Sequence, residues 1–210
     1  MLRLDPFYPI VPDTAWLARL LGEGIKLVQL RLKNVDAGAV GAEIARAMQL
    51  CADHRCQLVV NDYWREAITA GADFVHLGQD DLRTADLGMI KAAGIRIGIS
   101  THSPKELETA LAAAPDYVAL GPIYPTKLKE MPWAPQGLDR LAEWRALVRC
   151  PLVAIGGITL ERVPDALAAG ADCAAVVTDI VTNQDPEQQT QNWLEATAPW
   201  RNLSTGKPPP

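Results

Sequence analysis

Short apolar runs alternate with longer stretches of helical spacing along the whole chain. The apolar runs end in Gly, Asn, Asp or Ser, and each is followed by Ala-, Leu- and Glu-rich sequence with hydrophobic residues three or four positions apart. The apolar runs predict eight strands, at 7–11, 26–33, 57–62, 74–78, 96–100, 117–121, 151–156 and 173–178. The stretches after them predict helices at 15–21, 37–54, 63–70, 84–93, 104–113, 138–147, 160–169 and 186–196.

The strands are almost continuously apolar, which is typical of parallel strands covered on both faces. The sequence AGAD recurs at 70–73 and 169–172, which indicates equivalent turns of one repeating architecture. Eight βα units fit either a closed barrel or a doubly wound open sheet. Because these units leave no segment over, we predict an α/β fold with a single domain, a (β/α)8 TIM barrel over 1–203, followed by a disordered tail over 204–210.

The net charge limits the classes of partner that the protein is expected to bind. A net charge of −5 over 210 residues argues against a sequence-independent contact with nucleic acid or an anionic membrane. The sequence shows no signal-peptide pattern and no apolar run of membrane-spanning length, so we predict a cytoplasmic protein. The four cysteines lack zinc or CxxC spacing and are predicted to be small buried residues in a reducing compartment.

Basic side chains mark the end of the second predicted strand, where the reactive groups of a barrel lie. Gln29, Arg31 and Lys33 alternate and therefore share a face, which we predict to point into the barrel. Leu30 and Leu32 then point toward the helices. Two cations inside a barrel need an anionic partner, either barrel carboxylates or a bound ligand.

Acidic side chains mark the ends of the next two strands. Asn61 and Asp62 end the third strand, and Asp80 and Asp81 follow the fourth. Carboxylates on neighbouring strand ends can share a hard cation that also takes phosphate oxygens, the usual arrangement for Mg²⁺, although a lone Asp there is also a common helix N-cap. The pattern favours a metal together with a diphosphate.

Glycines follow the seventh strand, in the sequence GGIT at 156–159. Bare backbone amides at a helix start bind phosphate, and barrels often build a phosphate site from the loops after strands seven and eight. A tight βα turn is the alternative. The residues thus predict a pocket for two phosphorylated groups, one of them paired with a metal.

Seven segments together resemble the thiamine phosphate synthase family: QLRLK, VVNDY, GADFVHLGQDDL, GISTHS, DYVALGPIYPTKLK, PQG and VAIGGIT. They extend from about residue 7 to residue 180 in the family's order. The resemblance implies an Mg²⁺-dependent transferase that condenses 4-amino-2-methyl-5-(diphosphomethyl)pyrimidine with thiazole phosphate. The products are thiamine phosphate and diphosphate, formed through a pyrimidine carbocation.

The resemblance also assigns roles by position. The positions that match the pyrimidine diphosphate site are Gln29, Leu30, Arg31, Leu32, Lys33, Asn61, Ser100 and Lys129. The positions that match the Mg²⁺ ligands are Asp62 and Asp81. The positions that match the thiazole phosphate site are Thr126, Lys127, Leu128, Gly157, Val177 and Thr178. The expected catalytic residues are Arg31, Lys33, Ser100 and Lys129.

Two departures from the family pattern concern the thiazole phosphate. Leu128 replaces a threonine of the usual PTxTK, while Lys127 adds a charge. Asp179 replaces a small residue, and a carboxylate beside a phosphate is expected to be unfavourable. Two alternatives therefore stay open: a thiazole tautomerase of the same fold, which would use His102, and a non-catalytic binder of thiazole or thiamine phosphate. A homodimer is also left open.

Overall fold

Eight parallel strands form a closed barrel in sequence order. The structure, a computed structural model, describes residues 2–33, 35–126 and 133–201. The strands are β1 Phe7–Val11, β2 Leu27–Leu30, β3 Gln57–Asn61, β4 Phe74–Leu77, β5 Arg96–Thr101, β6 Tyr117–Leu120, β7 Leu152–Ile155 and β8 Cys173–Val176. β1 pairs with β8, Phe7 opposite Ala174, and closes the ring. The predicted (β/α)8 barrel is confirmed.

Helices surround the barrel. Those in the described residues are α1 Thr14–Leu21, α2 Val40–His54, α3 Trp64–Ala70, α4 Gln79–Thr84, α5 Leu87–Ala92, α6 Pro104–Ala112, α7 Gly137–Leu147, α8 Val163–Ala168, α9 Thr178–Val181 and α10 Pro186–Arg201. Two of them, α4 and α9, were not predicted. Both are short helices directly after a strand, at the carboxyl ends of β4 and β8. Among the described residues, no helix is long and apolar enough to cross a membrane.

The second strand is shorter than predicted. It ends at Leu30, and the Arg31 amide makes its last bond to the Val11 carbonyl at 2.9 Å. Because β1 ends at Val11, it offers no further partner on that side of β2, and on the other side the pairing with β3 ends with Leu30 opposite Val60. Arg31 is half-buried and Lys33 is exposed, and both follow the end of β2, so the prediction that they alternate along this strand is wrong.

Two hydrophobic cores lie on opposite faces of the barrel wall. The outer core, between strands and helices, includes Leu30 and Leu32, as predicted. The inner core fills the barrel with Tyr8, Ile10, Leu27, Val59, Phe74, Tyr117, Ala119, Val153, Cys173 and Ala175. Gly98 makes room for one inner ring: a Cβ there would lie 2.1 Å from the Tyr117 ring. The four cysteines are free; Cys51, Cys56 and Cys173 are buried, as predicted, whereas Cys150 is only half-buried.

The last helix, α10, is held to the barrel by contacts along its length. Near its start, Glu187 accepts from Arg19 of α1 at 2.6 and 2.9 Å. At its end, Arg201 binds both oxygens of Asp5 at 2.9 and 3.1 Å. Between these contacts the ring of Trp193 stacks on Phe7 of β1, with centroids 5.3 Å apart. The helix therefore forms a rigid support beside β1 and β8.

Candidate active site at the barrel mouth

Two carboxylates face each other at the ends of β3 and β4. Burial, followed by the neighbouring charge of Asp81, raises the pKa of Asp62 to about 6, while Arg31 opposes this shift. Asp62 sits at a left-handed φ of 65°, a conformation that Asp adopts more readily than most residues. Its amide donates to the His76 carbonyl at 2.9 Å, which fixes the turn. The structure thus brings together the two predicted metal ligands beside Arg31.

The helix after β4 explains why Asp81, and not Asp80, takes this position. Both lie in the first turn of α4, but Asp80 is exposed and pairs with Arg83. Asp81 is half-buried, and Gly78 leaves it space, since a Cβ there would lie 3.1 Å from its Oδ2. Gln79 ties the helix to β5 by donating to the Ser100 carbonyl at 2.6 Å.

A chain of buried hydrogen bonds links the predicted pyrimidine-site residues Gln29 and Ser100. Gln29 Nε2 donates to the Tyr8 hydroxyl at 3.0 Å, which lies 3.1 Å from the Tyr117 hydroxyl. The Tyr117 hydroxyl is 2.7 Å from His76 Nδ1, and His76 Nε2 is 2.7 Å from Ser100 Oγ. The sequence analysis did not identify Tyr8, Tyr117 or His76 as site residues.

Counting donors fixes the direction of this chain. Because Gln29 donates to Tyr8, the buried Tyr8 hydroxyl hydrogen needs an acceptor, which the Tyr117 oxygen supplies. Tyr117 then donates to His76 Nδ1, so the hydrogen of His76 resides on Nε2 and is donated to Ser100. The opposite direction would leave the Tyr8 hydroxyl hydrogen unpaired, at a cost of about 1–3 kcal/mol. The Ser100 hydrogen is therefore directed away from His76.

We expect ¹⁵N NMR to show a neutral His76 protonated on Nε2 alone, from pH 8 down to about pH 5. Burial, followed by the positive charge of Arg31, lowers the pKa of His76 to about 4. Tyr117→Phe removes the hydroxyl that bonds Nδ1 and should shift that nitrogen's resonance selectively. A hydrogen found on Nδ1 of the parent protein would show that the chain runs the other way.

The loops after β6 and β7 pack backbone against backbone. Ile123 and Tyr124 donate to the carbonyls of Ile155 and Gly156 at 2.9 and 3.0 Å. Gly157 has a φ of 66°, and a Cβ there would lie 2.5 Å from the Pro125 carbonyl oxygen. Only glycine fits this close approach, as expected for a tight turn that can also accept a phosphate.

Two of the predicted thiazole phosphate residues, Gly157 and Thr126, lie in or directly after these packed segments. Thr126 is half-buried directly after the packed segment, while Lys127, Leu128 and Lys129 lie outside the described residues. Val177 and Thr178 form the start of α9 at the end of β8.

The carboxylate of Asp179 is bound by helix α10. Its Oδ2 accepts from Trp193 Nε1 at 2.7 Å and from Gln189 Nε2 at 2.8 Å, and both donors lie on α10. Helix α10 thus supplies hydrogen-bond donors to this carboxylate, and the predicted conflict between Asp179 and a phosphate stays a prediction.

His102 follows β5 at the rim of the mouth. Its Nδ1 lies 2.8 Å from Glu106 Oε2, and its ring stacks on Trp133 with centroids 4.1 Å apart. Glu106 thus contacts one ring nitrogen of His102, and Trp133 covers one face of the ring.

The barrel mouth combines a carboxylate pair, a half-buried arginine and a glycine-lined loop. Fold and site together define a (β/α)8-barrel enzyme of the class that binds phosphorylated small molecules. The family model described as thiamine monophosphate synthase matches residues 8–180. A thiamine-phosphate synthase of Rhizobium etli is 62% identical over 203 residues, 96% of this chain and 100% of the relative. The chain belongs to the thiamine monophosphate synthase family.

Other relatives agree with this assignment, which confirms the resemblance found in the sequence. A thiamine-phosphate synthase of Salmonella paratyphi B is 48% identical, covering 91% of this chain and 88% of the relative. The solved structure of a thiamine phosphate pyrophosphorylase from Pyrococcus furiosus superposes with a TM-score of 0.83 and 25% identity, covering 94% of this chain and 98% of that one. A 3-hexulose-6-phosphate synthase, at 16% identity and a TM-score of 0.63 over 90% of this chain and 98% of that one, shares the fold alone.

Proposed function

We propose that this chain is a cytoplasmic thiamine phosphate synthase, which joins the pyrimidine diphosphate to thiazole phosphate and releases diphosphate. The observation that carries the proposal is the facing pair Asp62 and Asp81 beside Arg31 at the barrel mouth. The names of the similar proteins support the same reaction.

The carboxylate pair fits Mg²⁺. Two carboxylates held close in a half-buried position repel each other, and a divalent cation relieves that repulsion. Among the described residues, no group of three or more His, Cys, Asp or Glu could hold a metal. The other ligands would therefore be substrate oxygens and water, as is common for Mg²⁺. When bound, Mg²⁺ supplies positive charge to the departing diphosphate.

The basic residues would stabilise the leaving group. The bond between the pyrimidine methylene carbon and the diphosphate oxygen breaks, and the electron pair leaves with the diphosphate. Arg31, Lys33 and Lys129 would neutralise the charge that develops there. The thiazole nitrogen then forms the new bond by giving its electron pair to the pyrimidine carbocation, and this step requires no general base.

Polar groups of the barrel interior would hold the pyrimidine. Gln29, Asn61 and Ser100 lie on β2, β3 and β5 and would supply these groups. Leu30 and Leu32 have side chains in the outer core, which leaves only their backbone groups for the ligand. Thr126, Lys127, Leu128, Gly157, Val177 and Thr178 would bind the thiazole phosphate, with Lys127 compensating for the hydroxyl that Leu128 lacks.

One assay tests the proposal against its alternatives. The protein is incubated with Mg²⁺ and both substrates, and the release of diphosphate and the formation of thiamine phosphate are followed together. A synthase produces both in equal amounts and produces neither when thiazole phosphate is omitted. A tautomerase acting through His102 would change the thiazole without any diphosphate substrate, and a binder would saturate without turnover. Either of the last two results would refute the proposal.

Asp62→Asn is expected to stabilise the metal-free protein at pH 7 by about 1–2 kcal/mol. The folded state raises the pKa of Asp62 from 3.8 to about 6. Protonated Asp62 therefore stabilises the fold fully below pH 4, and this stabilisation is lost as pH rises through 6. Asn carries no charge and tolerates the left-handed φ. Urea unfolding should show the gain at pH 7 and little difference at pH 4.

The same measurement with Mg²⁺ gives the control. The metal should stabilise the parent more than Asp62→Asn, whereas Asp80→Asn should resemble the parent with and without metal. Equal stability of parent and Asp62→Asn at pH 7 would contradict the carboxylate repulsion.

A further inference from the structure

Asp179 makes an unexpected contact for a residue so close to the thiazole phosphate site. We propose that Asp179 is a positioning residue, which holds the segment 177–178 at the barrel mouth by tying it to α10 and so sets the affinity for thiazole phosphate. This inference rests on the proposed function, which places that phosphate at Val177 and Thr178.

The contact is specific to one carboxylate oxygen. Asp179 Oδ2 receives the indole N–H of Trp193 at 2.7 Å and the amide N–H of Gln189 at 2.8 Å. Hydrogen bonds to a charged acceptor are the strong ones in proteins. They also keep the carboxylate turned toward α10, so its charge does not face a bound phosphate.

The partner of Asp179 is anchored to the barrel. Trp193 is 0% exposed, and its ring stacks on Phe7 of β1. Phe7 lies opposite Ala174 of β8, the strand that leads directly to Asp179. The contacts therefore extend from Asp179, which follows β8, through Trp193 to Phe7 on β1, the strand beside β8. A closed loop of contacts of this kind leaves the segment 177–178 little freedom to shift.

The segment needs such an anchor because its own structure is weak. α9 has four residues, too few to be stable without tertiary contacts. Apart from the buried side chain of Ile180, the Asp179 bonds are the described side-chain contacts that join this helix to α10. A small residue at position 179 would leave the indole N–H of Trp193 unpaired in the interior.

Three variants test the inference through the KM of each substrate. Asp179→Ala removes the acceptor, Asp179→Asn keeps an acceptor oxygen without the charge, and Trp193→Phe keeps the stacked ring without the donor. We expect Asp179→Ala to raise the KM for thiazole phosphate by roughly 5- to 20-fold, with the KM for the pyrimidine diphosphate unchanged. Asp179→Asn should stay near the parent, and Trp193→Phe should move the same KM in the same direction.

The double variant adds a test of coupling. Both single changes break the same hydrogen bond between Asp179 and Trp193. Combining Asp179→Ala with Trp193→Phe should therefore add little to the larger single effect. Full additivity would overturn the inference, as would equal changes in both KM values or a fall in the thiazole phosphate KM of Asp179→Ala. If Asp179→Ala does not fold, Trp193→Phe alone decides by the same KM comparison.

Failure of the inference is distinguishable from failure of the proposed function. A parent protein that releases no diphosphate overturns the proposed function and this inference with it. A parent protein that turns over, with no selective change in the variants, overturns the inference alone.

Discussion

Asp81→Asn is expected to lower the rate of diphosphate release by about 100- to 1,000-fold, because groups that stabilise developing charge typically contribute about 3–4 kcal/mol. The substitution keeps the size of the side chain and removes one of the two charges that face each other at the mouth. The effect should appear in kcat at saturating Mg²⁺ and in a weaker dependence on Mg²⁺ concentration.

The adjacent residue provides a matched control. Asp80 lies in the same helical turn, but it is exposed and pairs with Arg83. Asp80→Asn should therefore change the rate by less than about threefold, since exposed ion pairs contribute little. If Asp81→Asn kept most of the activity and an unchanged Mg²⁺ requirement, Asp81 would not be a metal ligand.

Gly157→Ala is expected to reduce kcat/KM for thiazole phosphate by about 100-fold, since displacements near 1 Å at a reacting site have effects of this size. The added Cβ would lie 2.5 Å from the Pro125 carbonyl oxygen and 2.8 Å from that of Tyr124. Both neighbours are backbone, so the loop after β6 must move and carry Thr126 with it. Steady-state kinetics with each substrate varied separately would measure the loss.

Gly24→Ala is a control for Gly157→Ala, because it introduces backbone strain without steric crowding. Gly24 also has a positive φ, 87°, but a Cβ there meets nothing within 4 Å. It lies between α1 and β2, away from the barrel mouth. Gly24→Ala should lower stability by about 1–2 kcal/mol and leave the kinetics unchanged. Equal kinetic losses in both variants would show that the contact with the loop after β6 is unimportant.

The fold was predictable because its strands are buried on both faces. Each therefore appears in the sequence as a short apolar run, and all eight predicted strands are present. The error in β2 arose because hydrophobicity does not decide where a ladder ends: β1 stops at Val11, and β2 loses its partner on that side. Helix α9 was missed because four residues are too few to show a helical period. Helix α4 was missed because its sequence, QDDLRT, is mostly polar and shows no apolar period.

The candidate site was predictable where its chemistry is local in sequence. Asp62 and Asp81 follow neighbouring strands, so strand order places them at the same end of the barrel, and the first turn of α4 then selects Asp81 over Asp80. The buried chain through Tyr8, Tyr117 and His76 was not predictable in this way, because only closure of the barrel joins β1, β4 and β6. The sequence did contain a signal: three side chains with polar ends occupy inward positions of otherwise apolar strands. The direction of Asp179 likewise depended on α10: that helix was predicted, but its contact with Asp179 was not.

The space that Gly98 leaves for Tyr117 has a consequence for variation among related sequences. A methyl group at 98 would lie 2.1 Å from the Tyr117 ring, so either position can change only if the other compensates in volume. The two residues face each other across the β5–β6 ladder and should covary, a side chain at 98 accompanying a smaller residue at 117. A mutant library that randomises one position alone would recover mostly the parent residue. A library that randomises both positions would also recover pairs that fill the barrel interior differently.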